Sequence, residues 1–368
     1  MPGKSSSIFQ EDEREKMEAH GATRIIIMDQ GSRGGPSIIS AISKLGDNVH
    51  TLIIDHHESD AFPTDALVVS ACHSSPVATS SLLTYLVCLP LHESVREACA
   101  VSALLGVFGD LGPSAVKWGE SPWLAHLGDV MKRVTKKALL EAVSMMNASR
   151  RTAEYQVYDA WEIILHARSL KDISTNRKFL VARESVNAEV ERCTHTAPAF
   201  SRDGRVALLR IHSGYQVHPV IAIRWAGHLR ARNLQLVMVA NSGYHPSGVH
   251  TNFSCRIVAG LRKMSDTERP NLIEILNEYA SKVTDAKFLE RVGGDFAKGH
   301  KEATGGIILT SDFENFVKAM EIGIKPDTTE SNSMLSKKVL IDPGQKTKIT
   351  SFFSPIQDVI EETCSALD

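Results

Sequence analysis

Two α/β domains, a helical connector and a polar tail form the architecture that the sequence predicts. Two apolar runs, Arg24–Met28 and residues 51–54, lie on either side of a stretch that suits a helix over 37–45. A strand, a helix and a second strand at this spacing predict a parallel sheet. From Arg205 onward, apolar runs alternate with helical segments, which predicts a second, smaller α/β domain.

The first domain is expected over residues 1–175, with several strongly patterned helices after the two strands. Their apolar residues recur at the spacing of one helix face. We predict these helices at 74–89, 95–108, 124–146 and 153–170, and a short polar helix at 8–20.

A charged helical connector is expected at 176–200, and the second domain at 201–325. Residues 326–368 are polar and rich in Ser, Thr and Lys, so we expect a disordered tail. The strands of the second domain are predicted at 206–211, 220–224, 234–240, 251–258 and 307–309, and its helices at 268–282 and 312–322.

The composition is that of an ordinary globular protein. Hydrophobic residues make up 43% of the chain, charged residues make up 23%, and the net charge is −2. That charge excludes a global polycation, so any nucleic-acid contact has to come from a local basic surface. The six cysteines form no CxxC pair, which argues against a zinc finger or a disulfide framework. No apolar run is long enough to span a bilayer, so we expect a nuclear or cytoplasmic protein without membrane contact.

Metal-binding side chains follow both predicted strands of the first sheet. Asp29 comes directly after the first strand, and Asp55, His56 and His57 end the second. Ligands gather at the carboxyl ends of parallel strands, so we expect these groups to lie side by side. An isolated His-His pair is more often one core residue and one solvated residue, but the neighbouring strand end favours a site. Asp110, between glycines at the end of an apolar helix, is a further candidate.

Six short motifs occur in a fixed order across both predicted domains. They are Asp29-x-Gly31, Asp55-His56-His57, Gly109-Asp110, Asn147-Ala148-x-x-Arg151, Asn252-Phe253-Ser254-Cys255-Arg256 and Gly299-His300-Lys301-Glu302-Ala303-x-Gly305. This set resembles the DHH phosphoesterase superfamily, with its DHH catalytic domain followed by a DHHA1 substrate-binding domain. The resemblance covers residues 22–322 and indicates the branch of the RecJ single-strand exonucleases and nanoRNases.

The resemblance implies a role for each matched position. Asp29, His56 and Asp110 match residues that hold two Mn²⁺ ions in the family, with Mg²⁺ as the alternative ion. His57 matches the residue that faces the scissile phosphate and the attacking water, and Asp55 is expected to orient the histidines. The positions implied for substrate binding are Arg151, Asn252, Ser254, Arg256, Gly299 and His300.

The sequence departs from the family near its N-terminus. The family's first motif is a strand that ends in Asp-x-Asp and supplies two carboxylates to the metal pair. The residues before Asp29 contain no such pattern. Either the coding sequence begins upstream of Met1, or the chain is a variant that cannot hold both ions. We expect the chain as written to bind metal poorly and to be weakly active or inactive.

A second recognition pattern lies in the predicted tail. Lys346, Ile349, Phe352 and Phe353 are spaced as in a PCNA-interaction motif, whose aliphatic and aromatic side chains enter one hydrophobic pocket. Lys346 stands where the motif usually has Gln. The alternative is that the two phenylalanines dock on the protein's own surface. We predict the PCNA sliding clamp as a partner through residues 346–353.

The predicted function is Mn²⁺-dependent hydrolysis of single-stranded DNA or short oligonucleotides, with water activated by two metal ions. One alternative is a catalytically inactive RecJ-like adaptor in DNA replication, which the missing first motif favours and the retained metal ligands oppose. The other is a small-nucleotide phosphatase or cyclic-dinucleotide hydrolase, which would use the same residues. The basic residues expected to contact phosphates are Arg150, Arg151, Arg256, Lys298 and Lys301.

Overall fold

Two β-sheets with helices packed against them form the part of the protein that the computed structural model describes. The described residues are 2–38, 49–74, 78–112, 116–265 and 267–324. They confirm the predicted α/β architecture, with a parallel sheet followed by a second sheet and its helices. The predicted helix at 37–45 falls largely outside these residues. The tail, with Ile349, Phe352 and Phe353, falls outside them entirely.

The first sheet is parallel and consists of β1 (Arg24–Met28), β2 (His50–Asp55) and β3 (Leu67–Ser70), in that order. Met28 lies opposite Ile54, so β1 and β2 end at the same level. The residues that follow these strands therefore meet at one edge of the sheet, as the sequence predicts. The sequence does not predict β3, because this strand has only four residues and none of them is buried.

Helices cover both faces of this sheet. They are α1 (Glu11–His20), α2 (Ser80–Cys88), α3 (Val95–Ala98), α4 (Ala100–Asp110), α5 (Ala125–Val134), α6 (Lys136–Arg151), α7 (Val157–His166) and α8 (Leu170–Ser174). Ile54 packs in a core with the helices that follow the sheet, whereas Ile53 and Met17 of α1 lie on the opposite side.

The helix predicted at 124–146 is in fact two helices, α5 and α6. The chain breaks at Thr135, which adopts a φ of 68° and caps α6 with its hydroxyl group. Residues 147–151, which the sequence analysis places between helices, instead form the last part of α6. No Gly or Pro interrupts this segment, so the helix continues to Arg151.

The second sheet is mixed. Its strands are β4 (Ala199–Phe200), β5 (Val206–Ile211), β6 (Leu236–Asn241), β7 (His250–Ile257), β8 (Lys298–His300) and β9 (Ala303–Leu309). They lie in the order β4-β5-β6-β7-β9-β8, with β5 and β6 parallel and the other neighbours antiparallel. Its helices are α9 (Arg177–Thr194), α10 (His218–His228), α11 (Leu272–Ala280), α12 (Phe288–Val292) and α13 (Thr310–Ala319).

The strand predicted at 220–224 is wrong, because these residues lie inside α10. The β-branched run suggests a strand, but Pro219 occupies the first turn of the helix, a position that suits proline. Ile221, Ala222 and Ala226 are all buried, and their spacing places them on one helix face. This helix connects the parallel strands β5 and β6, which require a crossover of this kind.

The segment predicted as a helical connector contains α9, and this helix packs against the cores of both sheets. Phe179 near its start packs with the helices of the first sheet. Val186, Val190 and Cys193 pack with β5, β6 and α10. Among the described residues, no helix is both long enough and apolar enough to cross a bilayer.

Candidate metal and phosphate site

Asp29, Asp55, His56 and His57 meet at the carboxyl edge of the first sheet. One potential ligand atom from each lies within 4.8 Å of the others. Asp29 directly follows β1 with a φ of 61°, a left-handed conformation that an Asp side chain tolerates better than most. Its backbone N–H donates to the Ile54 carbonyl at 3.0 Å, which ties the end of β1 to β2. The convergence that the sequence predicts is therefore present.

A serine that the sequence analysis missed fixes the orientation of His56. The hydroxyl of Ser80, in α2, donates to Asp29 Oδ1 at 2.9 Å. A hydroxyl has one proton, so Ser80 Oγ accepts the Nδ1–H of His56, at 2.9 Å. Because Nδ1 carries the proton that Ser80 accepts, Nε2 is the ring nitrogen that can offer a lone pair to a metal ion. Ser80 is distant from the His pair in the chain, and no sequence signal links the two.

Nε2 of His56 faces the carboxylate of Asp110 at the end of α4. The distance to Asp110 Oδ2 is 2.8 Å, yet the contact lacks hydrogen-bond geometry and Nε2 has no aligned partner. His56 is almost fully buried. Burial alone would lower the pKa of its imidazole, but the carboxylates of Asp110 and Asp29 outweigh burial and raise the pKa to about 10. The His56 ring in turn holds the pKa of Asp29 below its usual range.

The donor set fits a divalent cation. Nδ1 of His56 lies 3.3 Å from Asp29 Oδ1, and Nε2, which has no aligned partner, lies 2.8 Å from Asp110 Oδ2. Asp110 therefore contacts His56 from the other side of the ring and is not one of the four residues whose ligand atoms lie within 4.8 Å of one another. Imidazole combined with carboxylate oxygen is a ligand set suited to Mn²⁺, whereas Mg²⁺ prefers oxygen throughout. Asp29, His56 and Asp110 are also the positions that match the metal-binding residues of the family in the sequence.

Asp55 is saturated by hydrogen bonds from its own surroundings. Its Oδ1 accepts from the backbone N–H of His56 at 2.8 Å and from Nδ1 of His57 at 2.8 Å. Its Oδ2 accepts from the backbone N–H of Ser32 at 3.0 Å. Burial opposes the charge, but His57 and Ser32 outweigh it and hold the pKa of Asp55 well below its usual range. Asp55 thus has the contacts of an orienting residue.

His57 is held by Asp55 and points its other nitrogen toward a large cleft. Asp55 raises the pKa of the His57 imidazole, which favours the protonated form. The cleft has a volume of about 1320 Å³ and lies between the loops after β1 and β2 and the β8–β9 hairpin. His300 of that hairpin stacks near His57, with ring centroids 6.1 Å apart and planes at 9°. Burial and the neighbouring His57 lower the pKa of His300, which favours its neutral form.

The predicted substrate-binding residues of β7 share one face of the second sheet. Asn252, Ser254 and Arg256 alternate along the strand, so they project to the same side, while the residues between them enter the core. Arg256 lies opposite Ala303 of β9, which lies opposite His300 of β8. Arg256 is thus two strands, or about 10 Å, from His300 on the same face.

Two glycines are required by this arrangement of strands. Gly299 has a φ of 128°, which permits the hairpin between β8 and β9. A Cβ at Gly305, opposite Ser254, would collide with the Phe253 carbonyl. Gly299 was predicted to bind substrate; it lines the cleft and shapes the hairpin that carries His300.

The partly buried Arg151 and Arg256 form a basic cluster with the buried His218, which we call the arginine cluster. Burial and the charges of Arg150 and Arg256 lower the pKa of Arg151 to about 10. Burial and the charges of Arg256, Arg151 and Arg150 lower the pKa of His218 to about 3. Among the described residues, Nε of Arg151 and Nδ1 of His218 have no hydrogen-bond partner. Excess positive charge with free nitrogens favours an anion at this position.

Two other basic residues that were predicted to contact phosphates, Lys298 and Arg150, already have partners within the protein. Lys298 pairs with Asp295 at 2.7 Å, and Arg150 donates to the amides of Asn147 and Gln216. His218 lies just before the segment 220–224 that was predicted as a strand, and no motif in the sequence marks it. The arginine cluster does not line the cleft that contains His57, although His300 lies on the sheet face that connects them.

Known proteins were compared with the chain at the level of sequence and of structure. No family model and no curated protein matches the sequence. The crystal structure of RecJ in complex with Mn²⁺ from Thermus thermophilus matches with a TM-score of 0.55 and 15% identity, over 85% of this chain and 46% of that one. A crystal structure of exonuclease RecJ bound to manganese matches with a TM-score of 0.48 and 17% identity, over 84% and 77% of the two chains. CDC45 from Entamoeba histolytica matches with a TM-score of 0.40 and 8% identity, over 84% and 87%.

Of these three structures, the Thermus thermophilus protein has the highest TM-score, and only this match is used to assign the fold. This chain spans about half the length of that RecJ chain. At 15% identity the match shows the fold alone, and it is the fold that the ordered motifs predict. The chain has a RecJ-like fold.

Proposed function

We propose that the protein is a metal-dependent phosphodiesterase that hydrolyses single-stranded DNA or short oligonucleotides. One observation carries the proposal: Asp29, Asp55, His56 and His57 offer ligand atoms that lie within 4.8 Å of one another, and Asp29, Asp55 and His57 line the cleft. A phosphodiester in that cleft would meet the metal ligands on one side and His300 on the other.

Asp29, His56 and Asp110 would hold the divalent ion. When bound, it lowers the pKa of a coordinated water and offsets charge on the phosphoryl oxygens. The relay from His56 Nδ1 through Ser80 to Asp29 keeps the ring oriented with Nε2 toward this position. We propose Mn²⁺ over Mg²⁺ because one ligand is an imidazole.

His57 would act on the scissile phosphate itself. Its Nδ1 is committed to Asp55, so Nε2 is the atom available to the cleft. Asp55 raises the pKa of His57, which favours the protonated ring, and a protonated ring can donate a hydrogen bond from Nε2 to a phosphoryl oxygen. This donor strengthens as charge develops on that oxygen in the transition state.

The arginine cluster would hold a second phosphate of the same chain. Arg256 Nη1 donates to Ser254 Oγ and to the Cys255 carbonyl, which fixes the guanidinium next to Arg151. A nucleic-acid strand that reaches from His57 across His300 to Arg256 would pass along the Asn252–Ser254–Arg256 face. This path supports an extended single strand over a compact mononucleotide.

A cleavage assay tests this proposal. Wild type is incubated with Mn²⁺ and either 5′-labelled single-stranded DNA, a dinucleotide or a cyclic dinucleotide, with His57→Ala as the inactive reference and exposed His73→Ala as the control. We expect Mn²⁺-dependent shortening of the DNA by wild type and His73→Ala, and loss by His57→Ala.

Other outcomes of the assay would replace the proposal. Cleavage of the dinucleotides alone would indicate a small-nucleotide phosphodiesterase. Absence of any hydrolysis under all metal conditions would indicate a non-catalytic replication adaptor.

The tail adds a separate proposal, supported by its sequence pattern. We propose that Ile349, Phe352 and Phe353 bind PCNA, which would place the protein in the nucleus. Calorimetry of the full chain against PCNA should show binding that the double change Phe352→Ala with Phe353→Ala removes. Unchanged binding by this variant would refute the assignment.

A further inference from the structure

Arg33, in the loop after β1, is a basic residue of the cleft that none of the motifs includes. Its guanidinium carbon lies 5.3 Å from the centroid of the Phe9 ring. It also sits against Gly294, because a Cβ built there would lie 3.2 Å from that carbon. Arg33, Phe9 and Gly294 all line the cleft that contains His57.

The guanidinium of Arg33 is free to bind an anion. Among the described residues it has no hydrogen bond or ion pair, only the contacts with Phe9 and Gly294. Lys298, in the same cleft, is already paired with Asp295. An aromatic ring against a guanidinium restrains its plane and leaves the N–H groups at its edge available, which suits bidentate binding of phosphate.

The position of Arg33 is coupled to the residues around the scissile phosphate. The backbone N–H of the preceding Ser32 donates to Asp55 Oδ2 at 3.0 Å, and Asp55 orients His57. The loop that carries Arg33 is thus fixed to the same carboxylate as the proposed catalytic imidazole. Arg151 and Arg256 do not line this cleft, so Arg33 and the arginine cluster are separate positions.

We propose that Arg33, restrained by Phe9 and Gly294, binds a phosphate next to the scissile one and selects substrates with at least two phosphodiester groups. The inference rests on the proposed function, because it takes His57 to face the scissile phosphate. The preferred substrate class is then an oligonucleotide of three or more nucleosides, and an isolated phosphodiester gains nothing from Arg33.

A binding experiment tests this role without turnover. Fluorescein-labelled (dT)₅ and TpT are titrated with protein in EDTA, and anisotropy gives each Kd. Arg33→Met should weaken (dT)₅ binding about tenfold, because it removes charge-assisted hydrogen bonds to one phosphate. It should leave TpT binding unchanged. Arg33→Lys should be intermediate, and Arg24→Met, an exposed arginine of β1, should match wild type.

Phe9→Leu removes the aromatic ring that restrains the Arg33 guanidinium and keeps the positive charge of Arg33. We expect it to weaken (dT)₅ binding by less than Arg33→Met, because the cation remains but its plane is less restrained. In steady-state hydrolysis with Mn²⁺, Arg33→Met should raise KM for (dT)₅ and leave KM for bis(4-nitrophenyl) phosphate, which has one phosphodiester, unchanged.

The outcomes distinguish this inference from the proposed function. Wild-type affinity for (dT)₅ in Arg33→Met would overturn the inference while hydrolysis by wild type could still stand. Equal weakening for TpT and (dT)₅ would place Arg33 on the scissile phosphate and overturn the two-phosphate assignment. If (dT)₅ binding depends on Arg33 but wild type does not hydrolyse (dT)₅ with Mn²⁺, the proposed phosphodiesterase function is overturned and the role of Arg33 in binding stands. No binding of (dT)₅ by wild type in EDTA would overturn the inference alone, because the proposed function is judged by hydrolysis with Mn²⁺ present.

Discussion

Nε2 of His56 lies 2.8 Å from Oδ2 of Asp110 without an aligned hydrogen bond between them. The other ring nitrogen is committed to Ser80, which in turn donates to Asp29. Each ring nitrogen of His56 thus faces a carboxylate, Asp29 on one side and Asp110 on the other, so a positive charge on the ring is stabilised from both sides. In the metal-free protein that charge is a proton on His56, since Asp110 and Asp29 raise its pKa to about 10.

Metal binding should therefore release a proton. Below its raised pKa, His56 must lose its proton before Nε2 can bind an ion, so affinity for Mn²⁺ should rise with pH. We expect up to about a tenfold gain per pH unit between pH 6 and 8. Calorimetry in two buffers of different ionisation enthalpy measures the proton. A Kd for Mn²⁺ that is equal at pH 6 and pH 8, with no proton released, would contradict the prediction.

Ser80→Ala should weaken Mn²⁺ binding by about 10- to 100-fold, the range found when a group that orients a metal ligand is removed. The change breaks the relay between His56 and Asp29 and frees the ring to rotate. The matched control is the neighbouring Ser81→Ala, whose hydroxyl donates to the Ala103 carbonyl away from the site. Equal Mn²⁺ affinity in Ser80→Ala and Ser81→Ala, measured by calorimetry, would show that the relay is not needed.

Asp55→Asn should lower the pKa of His57. The carboxylate is the main stabiliser of the His57 imidazolium, so its loss removes the upward shift. A hydrogen bond between charged groups contributes about 1.5–3 kcal/mol, which corresponds to one to two pKa units. NMR titration of the imidazole carbons in EDTA gives the value. Asp60→Asn, at a fully exposed carboxylate, is the control. An unchanged His57 pKa in Asp55→Asn would contradict the assigned contact.

Acid should destabilise the fold through His218. Burial and the nearby arginines lower its folded-state pKa to about 3, so it stays neutral when folded and takes up a proton on unfolding below pH 6.5. Its contribution is present above pH 6.5 and is lost as pH falls toward 3, by about 1.4 kcal/mol per unit. The free energy of unfolding in urea should fall less between pH 7 and 5 in His218→Gln than in wild type.

A control on the same helix makes the His218 test specific. His228 is exposed in α10 and no hydrogen bond ties it to the arginine cluster, so His228→Gln should retain the wild-type dependence on pH. If His218→Gln and wild type lose the same free energy of unfolding between pH 7 and 5, the buried neutral state of His218 is wrong.

The convergence of Asp29 with Asp55, His56 and His57 could be predicted because parallel strands of equal register end at one edge. The order of the motifs also predicts the fold that the structure confirms. These features depend on short-range patterns and on the general geometry of βαβ units.

Ser80, His218 and Arg33 could not be predicted in the same way. Ser80 acts through contacts with side chains far away in sequence, and no local pattern marks it. His218 lies in a β-branched run whose helix is decided by Pro219 and by packing on the second sheet. Arg33 gains its environment from Phe9 and Gly294, which come from distant segments.

The Mn²⁺ dependence of hydrolysis by wild type and Asp110→Asn tests the central claim most directly. Asp110 contacts His56 and is part of the proposed ligand set, so its charge should matter for both metal affinity and turnover. We expect single-stranded DNA cleavage by wild type to saturate with Mn²⁺, and Asp110→Asn to need at least tenfold more Mn²⁺ and to have a lower kcat. Cleavage without metal, or an Asp110→Asn variant with wild-type Mn²⁺ dependence, would contradict the claim.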